Sequence, residues 1–532
     1  MFCDNNLSYL KVKQSNYIIR RMEKEFFVIE LPLKIEKWEA DLINKRYELL
    51  RSIYNYAQNK LLRQFKYFEQ MTEWKNCKTK KDKSDFFKKH PFYFKGISSK
   101  ITFSEYDITA FTEKLIKKQV SSNKAYKDFG INSSIAECIG KHIWSAWEKK
   151  IYNKGKKISF KKKGELNSIS VRKKSGYFGG MDVDLEHMLL RLNINGKIGK
   201  KSNKITLPIV FDKPTEYEMY SFKNGIDSIH AVTIVRKLIR GNYKYYVQFT
   251  IEGKKPQKGR VLGKGKVGVD VGPSTVAVSS INGVQIITLA EKCDDIEHKC
   301  KLLERKMDRS RRATNPQNYN DNGTIKKIKN EHLKWVYSKR YSKIRNKKCD
   351  LQRKQAAIRK LQHNINTNEL LKFGDSFIVE NNPISAWQHK AKETKINKNG
   401  KFQRKKKFGK SIANHAPAMF ITILENKVKS LGGELIKVDI KNAASRFDFT
   451  NSDFVEHKLN ERKITLSNGN THQRDLLAAF NLQHLNNDDE SLKSYNIEEM
   501  KKDYPTFCKL EEIEIGKFVN GQKKSHKYTV GY

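Results

Sequence analysis

The stretch "GVDVGPSTVAVSS", residues 268–280, decides how the second half of the chain is read. Val267, Val269 and Val271 alternate with other residues, and Val276, Ala277 and Val278 follow. The pattern predicts a strand, a tight Gly-Pro turn and a second strand. Asp270 interrupts the first strand at a place where an apolar side chain would bury better. A carboxylate there is either a satisfied structural acid or the first ligand of a metal site.

Downstream, "SINGVQIITL" extends the pattern as a hairpin with Asn282-Gly283 in its turn. Two basic helical segments are expected at 291–312 and 324–372, with the loop "ATNPQNYNDNGT" between them. In the second, Tyr337, Tyr341, Ile344, Leu351 and Ile358 keep near-heptad spacing. "DSFIVENNPISAW" (375–387) reads as a strand ending in Glu380, and "KINKNGKFQRKKKFGK" (395–410) as a basic loop carrying Arg404, Lys405, Lys406 and Lys407. A helix over 412–431 and the strand "GELIKVDI" (433–440) lead to "THQRDLLAAFNLQHL" (471–485), a helix with Asp475 near its start. Strands alternating with helices from 264 to 485 imply an α/β domain built on a mixed sheet. The tail beyond is mixed in charge and carries no signal.

Upstream, "EFFVIELPLK" (25–34) predicts a strand ending at a proline. Ile43, Tyr47, Leu50, Tyr54, Ala57, Leu61 and Phe65 then form one helical apolar stripe, and helical character continues to about residue 150. The aromatics and lysines mixed through this region are core residues for the most part, with base stacking as the alternative. "KGKKISFKKKG" (154–164) contributes Lys154, Lys156, Lys157, Lys161, Lys162 and Lys163 between two glycines, a pattern suited to backbone phosphates. From 165 to 260 the pattern is β: in "NYKYYVQFTIEG", Tyr243, Tyr245, Val247, Phe249 and Ile251 alternate, and "HAVTIVRKLIRGN" supplies a partner strand with Gly241-Asn242 in the turn. This region reads as a small barrel or sandwich, followed by the linker "GKKPQKGRVLGKGK".

Lys and Arg number 106 against 58 Asp and Glu, a formal charge of +48 over 532 residues. Such an excess repels itself unless a polyanion supplies counter-charge, and phosphate backbones are the usual source. An anionic membrane surface is the competing partner, but no run approaches the ~20 apolar residues of a spanning helix, and residues 1–21 lack the apolar core of a signal peptide. The cysteines, at 3, 77, 138, 293, 300, 349 and 508, include no CxxC pair and describe no disulfide framework, which fits a reducing cytoplasm. In "CDDIEHKC" (293–300) a helical reading points His298 and Cys300 to different faces, so ordinary helix residues are expected there.

Asp270, Glu380 and Asp475 share one peculiarity: each interrupts an apolar element where burial argues against it. Unpaired buried carboxylates are costly, so three in one sheet region call for cations. Hard oxygen donors suit Mg²⁺, and paired ions are the common device for phosphodiester cleavage. Gly272, lacking a side chain, would let a substrate backbone approach the first acid. Asp375 and Asp439 also lie at strand ends and are read as caps or surface residues.

Taken in order, the motifs resemble a known family: the RuvC-like (RNase H fold) nuclease half of the TnpB transposon-encoded nucleases and their relatives, the compact type V CRISPR effectors. "GVDVGPSTVAVS" resembles its first motif with Asp270 at the acid, "FIVENNPISAW" its second with Glu380, and "RDLLAAFNL" its third, with Arg474, Asp475, Ala478, Ala479 and Asn481 on family positions. "SAWEKKIYNKGKKISFKKKG" is similar to the stretch where the family's recognition helices return to its barrel. The resemblance covers about 25–485. It implies a multidomain α+β chain: an N-terminal β-barrel (wedge) with an inserted helical recognition domain, and a C-terminal RNase H-like nuclease domain. Its boundaries would be a leader and first wedge strand at 1–35, recognition helices at 36–150, the barrel at 151–262, nuclease motifs I and II at 263–440, a target-strand loading element at 441–470, the motif III helix at 471–485 and a tail at 486–532. The implied activity is RNA-guided endonuclease cleavage of double-stranded DNA after recognition of a short flanking motif, in a prokaryotic cytoplasm. Asp270, Glu380 and Asp475 would hold two Mg²⁺, with Mn²⁺ substituting, and Arg474 would contact phosphate. The alternative from another class is a guided DNA-binding repressor with a silenced nuclease; an unguided RNA-binding or junction-resolving protein is a third. A chain of this size also fits two copies assembled on one RNA.

The sequence departs from the family in two places. The interval 442–475, where the family usually carries a four-cysteine zinc ribbon, contains no cysteine, so zinc is not expected. A hairpin held by Phe447, Phe449, Phe454, Ile464 and Leu466 is expected to replace it. Leu477 stands where many relatives have Asn, a change expected to alter packing more than metal binding.

Overall fold

Tyr245, Val247, Phe249 and Ile251 are all buried, and their strand, Asn242–Glu252, pairs antiparallel with Ile229–Ile239. Asn242 lies opposite Ile239, so the turn residues are Arg240 and Gly241, at φ 53° and 88°. The turn thus falls one residue earlier than the sequence reading placed it, because a two-residue hairpin turn of this hand needs positive φ at both central positions and Gly241 takes the second. The structure, a computed structural model, describes residues 25–94, 97–122, 131–152, 155, 157–198, 201–255, 259–326, 332–389, 393, 396, 400, 409–440, 443–457, 461–486 and 495–523. It divides into two units, Met1–Gln257 and Lys258–Tyr532.

The first unit is built on an eight-stranded antiparallel sheet. The first strand, Phe26–Pro32, occupies one edge beside Asn242–Glu252, and Lys201–Pro208 occupies the other. The edges meet through a bridge between Leu33 and Ile209, so the sheet curls until it closes and no edge is left open there. Between the first strand and the rest, the chain inserts the helices Lys37–Phe68, Glu105–Ser122 and Ser133–Ile151 with shorter ones. Every residue of the stripe from Ile43 to Phe65 is buried. Arg236, itself 2% exposed, ties strand to helix: it donates to Asn44 Oδ1 at 2.7 Å and Leu166 O at 3.0 Å, and its guanidinium lies 4.4 Å from the Tyr47 ring. Many aromatics of the helical part are core residues, with Phe65 meeting Trp147 at 5.1 Å and Phe87 meeting Phe103 at 4.6 Å, whereas Trp38, Tyr56, Tyr67, Tyr93 and Tyr106 are exposed.

The second unit contains a five-stranded sheet. In chain order its strands are Lys266–Val271, Thr275–Ser280, Gly283–Thr288, Ser376–Glu380 and Glu434–Val438, and their spatial order is 3-2-1-4-5. The first three are antiparallel, and the last two run parallel to the first. Ser280 pairs with Gly283, so the second hairpin turns on Ile281 and Asn282 rather than Asn282-Gly283. The segment expected as one helix over 412–431 is two, Gly409–His415 and Pro417–Ser430, broken at Ala416 with φ 45°. Helix 324–372 begins only at Lys339, and its aromatic and aliphatic near-heptad is not a core seam: Tyr337 is 50% exposed and the helix buries only His363, Thr367 and Leu370. The tail, which carried no signal, forms the helix Ile497–Val519, whose fully buried Glu514 accepts from the amide of Ile286 at 2.8 Å.

In place of one hairpin, the cysteine-free interval forms two, Phe447–Asp448 with Asp453–Phe454 and Lys463–Thr465 with Thr471–Gln473. Phe447, Phe449, Ile464 and Leu466 are buried beneath them, and Phe454 packs against the same cluster half-buried. Between the hairpins sits a carboxylate: Asp448, 1% exposed, accepts from Thr450 N at 2.9 Å, Thr450 Oγ1 at 2.6 Å, Ser467 N at 2.8 Å and Ser467 Oγ at 2.8 Å. Burial alone would raise its pKa, but these donors hold it below the ordinary value. A depressed native pKa adds stability that is present above the unfolded value and lost as pH falls through the native one. Asp448→Asn turns an amide N–H toward donors and is expected to destabilise the unit by about 2–4 kcal/mol at neutral pH. The deficit should shrink below about pH 4; thermal melts of the two proteins across pH check it, and a deficit that persists at low pH contradicts the assignment.

Candidate active site

Local sequence explains how three distant acids meet. Gly268 and Asp270 lie two residues apart on one strand and so share a face. A Cβ built on Gly268 would stand 1.8 Å from Ala479 O and 2.5 Å from Gln483 N, so the backbone of helix Arg474–Gln483 rests directly on that glycine. Ala479 follows Asp475 by one helical turn, and Asp270 follows Gly268 by one strand repeat. The two acids are therefore carried to the same end of the contact. Ser279 Oγ fixes the helix further along, donating to Gln483 Oε1 at 3.0 Å. Glu380 arrives by register: Val269 pairs with Val379 on the adjacent parallel strand, so Asp270 and Glu380 emerge side by side near the strands' carboxyl ends, about 4.8 Å apart in backbone spacing.

The Asp270 carboxyl senses both of the other acids. Burial, then the charge of Asp475, then that of Glu380 push the Asp270 carboxyl well above the usual range, with Arg474 and Arg462 opposing. Burial also raises Glu380, against hydrogen bonding from Asn382 and the amide of Ala444. Asp475 is held by two guanidiniums: Arg474 Nε and Nη2 donate to its Oδ1 at 3.1 and 2.8 Å, and Arg462 Nη1 to its Oδ2 at 3.3 Å. Among the described residues no three acid, imidazole or thiolate groups close into a single cage around one ion. The acids instead converge as a like-charged group at one sheet end, all partly accessible. Hard oxygen donors gathered in this way fit divalent cations of the Mg²⁺ class, whose charge would relieve the repulsion on Asp270.

Several further residues support the acids, and of these Asn481 alone stood among the positions named from the sequence. Arg462 comes from the cysteine-free hairpins and reaches Asp475 only through the fold. Gln473 caps the helix, its Oε1 accepting from Leu476 N at 2.7 Å, and donates Nε2 toward Asp475 Oδ2 at 3.4 Å; a polar residue just before an apolar helical run is a legible cap signal, though the sequence reading did not use it. The terminal helix braces this start: Glu511 accepts from Gln473 N at 2.7 Å and, through its other oxygen, pairs with His472 Nδ1 at 2.5 Å. Asn481 donates to Ala444 O and Phe447 O, each at 2.8 Å, anchoring the loop beside Glu380. Tyr495 stacks on Phe447 at 3.9 Å, and burial and the Glu380 charge raise its pKa.

The structure places the other expected residues elsewhere or in structural roles. Arg474 folds onto Asp475 and Glu461 O, the latter at 3.1 Å. Gly272 serves its own turn, donating to Thr275 O at 2.9 Å. Asp375 is a cap, accepting from Gly265 N at 3.0 Å, and Leu477 is buried in the core. In the first unit, Lys161 is pinned by reciprocal bonds with Asn55 at 2.9 Å, while Lys157, Lys162 and Lys163 are exposed. Lys154, Lys156, Arg404, Lys405, Lys406 and Lys407 lie outside the described residues.

No protein-family model matches the chain, nor does any curated protein. Among solved structures, it is similar to a chain of the cryo-EM Cas12f1-sgRNA-target DNA complex at 14% identity and a TM-score of 0.44, over 86% of this chain and 99% of that one. It is similar also to a chain of a CRISPR-Cas12f ternary complex, at 15% identity and 0.28 over 85% and 83%, and of a Cas12i1 R-loop complex before target DNA cleavage, at 10% and 0.25 over 76% and 53%.

Two expectations follow from the geometry. A carboxyl whose native pKa is raised binds its proton more tightly folded than unfolded, so it lowers stability as pH rises above the unfolded value. Asp270→Asn should therefore melt a few degrees higher than wild type at neutral pH. The gain should fade toward about pH 4, and a lower melting temperature at pH 7 contradicts the repulsion. Gly268→Ala must push the helix off its seat, and should lower the melting temperature by the several degrees typical of core overpacking; an unchanged melt contradicts the close contact.

Proposed function

We propose that the chain is an RNA-guided DNA endonuclease whose cleavage centre is the Asp270, Glu380 and Asp475 cluster in an RNase H-like domain. One observation carries the reading: the three acids of the ordered motifs converge at one sheet end, where burial, then the charges of Asp475 and Glu380, push the Asp270 carboxyl above its ordinary range. A merely structural carboxylate is satisfied as Asp448 is, by donors that lower its pKa; the Asp270 carboxyl is shifted the other way. When bound, two Mg²⁺, or Mn²⁺ in their place, would activate the attacking water and stabilise the leaving oxygen.

The chain's own part follows from position. Asp270 and Glu380, fixed in register on parallel strands, would present carboxylate oxygens from a rigid floor. Asp475, in the first turn of its helix, would complete the set from above, seated by the contact at Gly268. Arg462 and Arg474, now on Asp475, are the cations placed to meet substrate phosphate. The first unit's closed sheet and helices, with Lys157, Lys162 and Lys163 exposed, would hold the guide RNA, and Lys154, Lys156, Lys161 and Arg404 to Lys407 would add phosphate contacts. Base pairing would supply the sequence specificity. No zinc enters this reading, since Asp448 and the buried aromatics hold the hairpins of the cysteine-free interval.

The test is Asp270→Ala in the reconstituted ribonucleoprotein with matching DNA and Mg²⁺. Cleavage should fall by at least about a hundredfold while RNA and DNA binding hold. Equal loss of binding would make Asp270 structural, and wild-type binding without any cleavage would favour the guided repressor.

A further inference from the structure

The second unit carries an aromatic pair that the cleavage centre does not use. Helices Cys293–Thr314 and Lys339–Leu370 run antiparallel, tied by Cys293 with Gln355 at one end, Lys348 with Glu304 at 2.7 Å in the middle, and Ser310 Oγ with Ser338 Oγ at 2.9 Å at the other. The tip beyond is built rather than loose. Asn315 clasps the backbone of Val336 on both sides, Nδ2 donating at 2.8 Å and Oδ1 accepting at 2.7 Å, and Asn318 Nδ2 donates to Lys334 O at 2.7 Å. On this tip Tyr337 and Tyr341 stack with ring centroids 4.6 Å apart and planes 24° from parallel. Tyr337 is 50% exposed, so its ring offers a flat surface to solvent.

Charge identifies what would cover it. Residues 332–349 hold seven Lys or Arg and no Asp or Glu, and Lys339, Arg340, Lys343 and Arg345 are exposed. Arg345 follows Tyr341 by one helical turn, so rings and cation lie along one face. A hydrophobic contact across a helix start needs only aliphatic bulk; stacked rings beside cations that outnumber the nearby acids Glu304, Asp308 and Asp350 are what unpaired bases and their phosphates require. Paired duplex bases are already stacked and offer no face, whereas RNA loops present theirs. We propose that Tyr337 and Tyr341 form a stacking platform for an unpaired base of the bound RNA, with Arg340, Lys343 and Arg345 on its phosphates. The proposal rests on the RNA-guided reading and adds to it where on the second unit the RNA is gripped.

The test measures binding of labelled oligouridylate, the same strand annealed to oligoadenylate, and oligothymidylate to the full chain. Tyr337→Leu keeps apolar bulk and loses the ring; it should weaken oligouridylate binding by about tenfold and leave the duplex unchanged. Tyr337→Phe keeps the ring and should stay within about twofold of wild type. Unchanged affinity in Tyr337→Leu, or equal loss on the duplex, overturns the platform. Loss confined to oligothymidylate would overturn RNA as the occupant in favour of a displaced DNA strand. A wild-type chain that binds no RNA overturns the guided reading itself, a result distinct from wild-type binding that Tyr337→Leu leaves intact.

Discussion

Everything in the second unit that bears on chemistry depends on the backbone contact between helix Arg474–Gln483 and Gly268. No side chain other than hydrogen fits there, because a Cβ would fall 1.8 Å from a carbonyl oxygen. The contact fixes the helix's height over the sheet, and its height fixes where Asp475 stands relative to Asp270. The Ala478 and Ala479 pair belongs to the same constraint, since larger residues would lift the helix away. Parallel register then brings Glu380 beside Asp270 without any further device. Acids separated by 110 and 95 residues thus become neighbours through one glycine and one strand pairing.

The price of that arrangement is repulsion within the unit, and the surrounding structure manages it unevenly. Asp475 is paired with Arg474 and Arg462, while burial and the charges of Asp475 and Glu380 raise the pKa of Asp270. Elsewhere in the unit buried acids are fully satisfied: Asp448 by four donors, Glu514 by Ile286 N and two lysines, Glu511 by Gln473 N and His472. The contrast within one unit sets Asp270, whose pKa burial and like charge raise, apart from the acids that hold structure. It also explains how the hairpins of 442–475 stand without cysteines, since Asp448 makes the polar link and Phe447, Phe449, Ile464 and Leu466 the apolar one.

Much of this was legible in the sequence, for reasons specific to each element. The strand Lys266–Val271, the stripe Ile43 to Phe65 and the alternation Tyr245 to Ile251 are strong periodic signals, and burial follows them. The three acids were legible because each breaks such a signal. Arg462 was not, because nothing local distinguishes an arginine on a surface hairpin from one that folds back to a site. The terminal helix was hidden by its own polarity: Glu511 and Glu514 are buried acids that a charge pattern reads as surface. Tyr337 and Tyr341 misled in the other direction, since near-heptad spacing looks like a core seam whether or not a partner element exists to cover it. Turn positions slipped by one residue, to Arg240-Gly241 and Ile281-Asn282; at the first, positive φ at both central residues decides which pair bends.

The central claim, that the three acids act as one divalent-cation centre, is tested most directly by electron paramagnetic resonance titration of Mn²⁺ into the full chain. The account predicts saturable binding of two ions with a spin-coupled signal, lost alike in Glu380→Gln and Asp475→Asn while both proteins remain folded. Mn²⁺ binding that survives both substitutions, or no saturable binding in the wild-type chain, would contradict it.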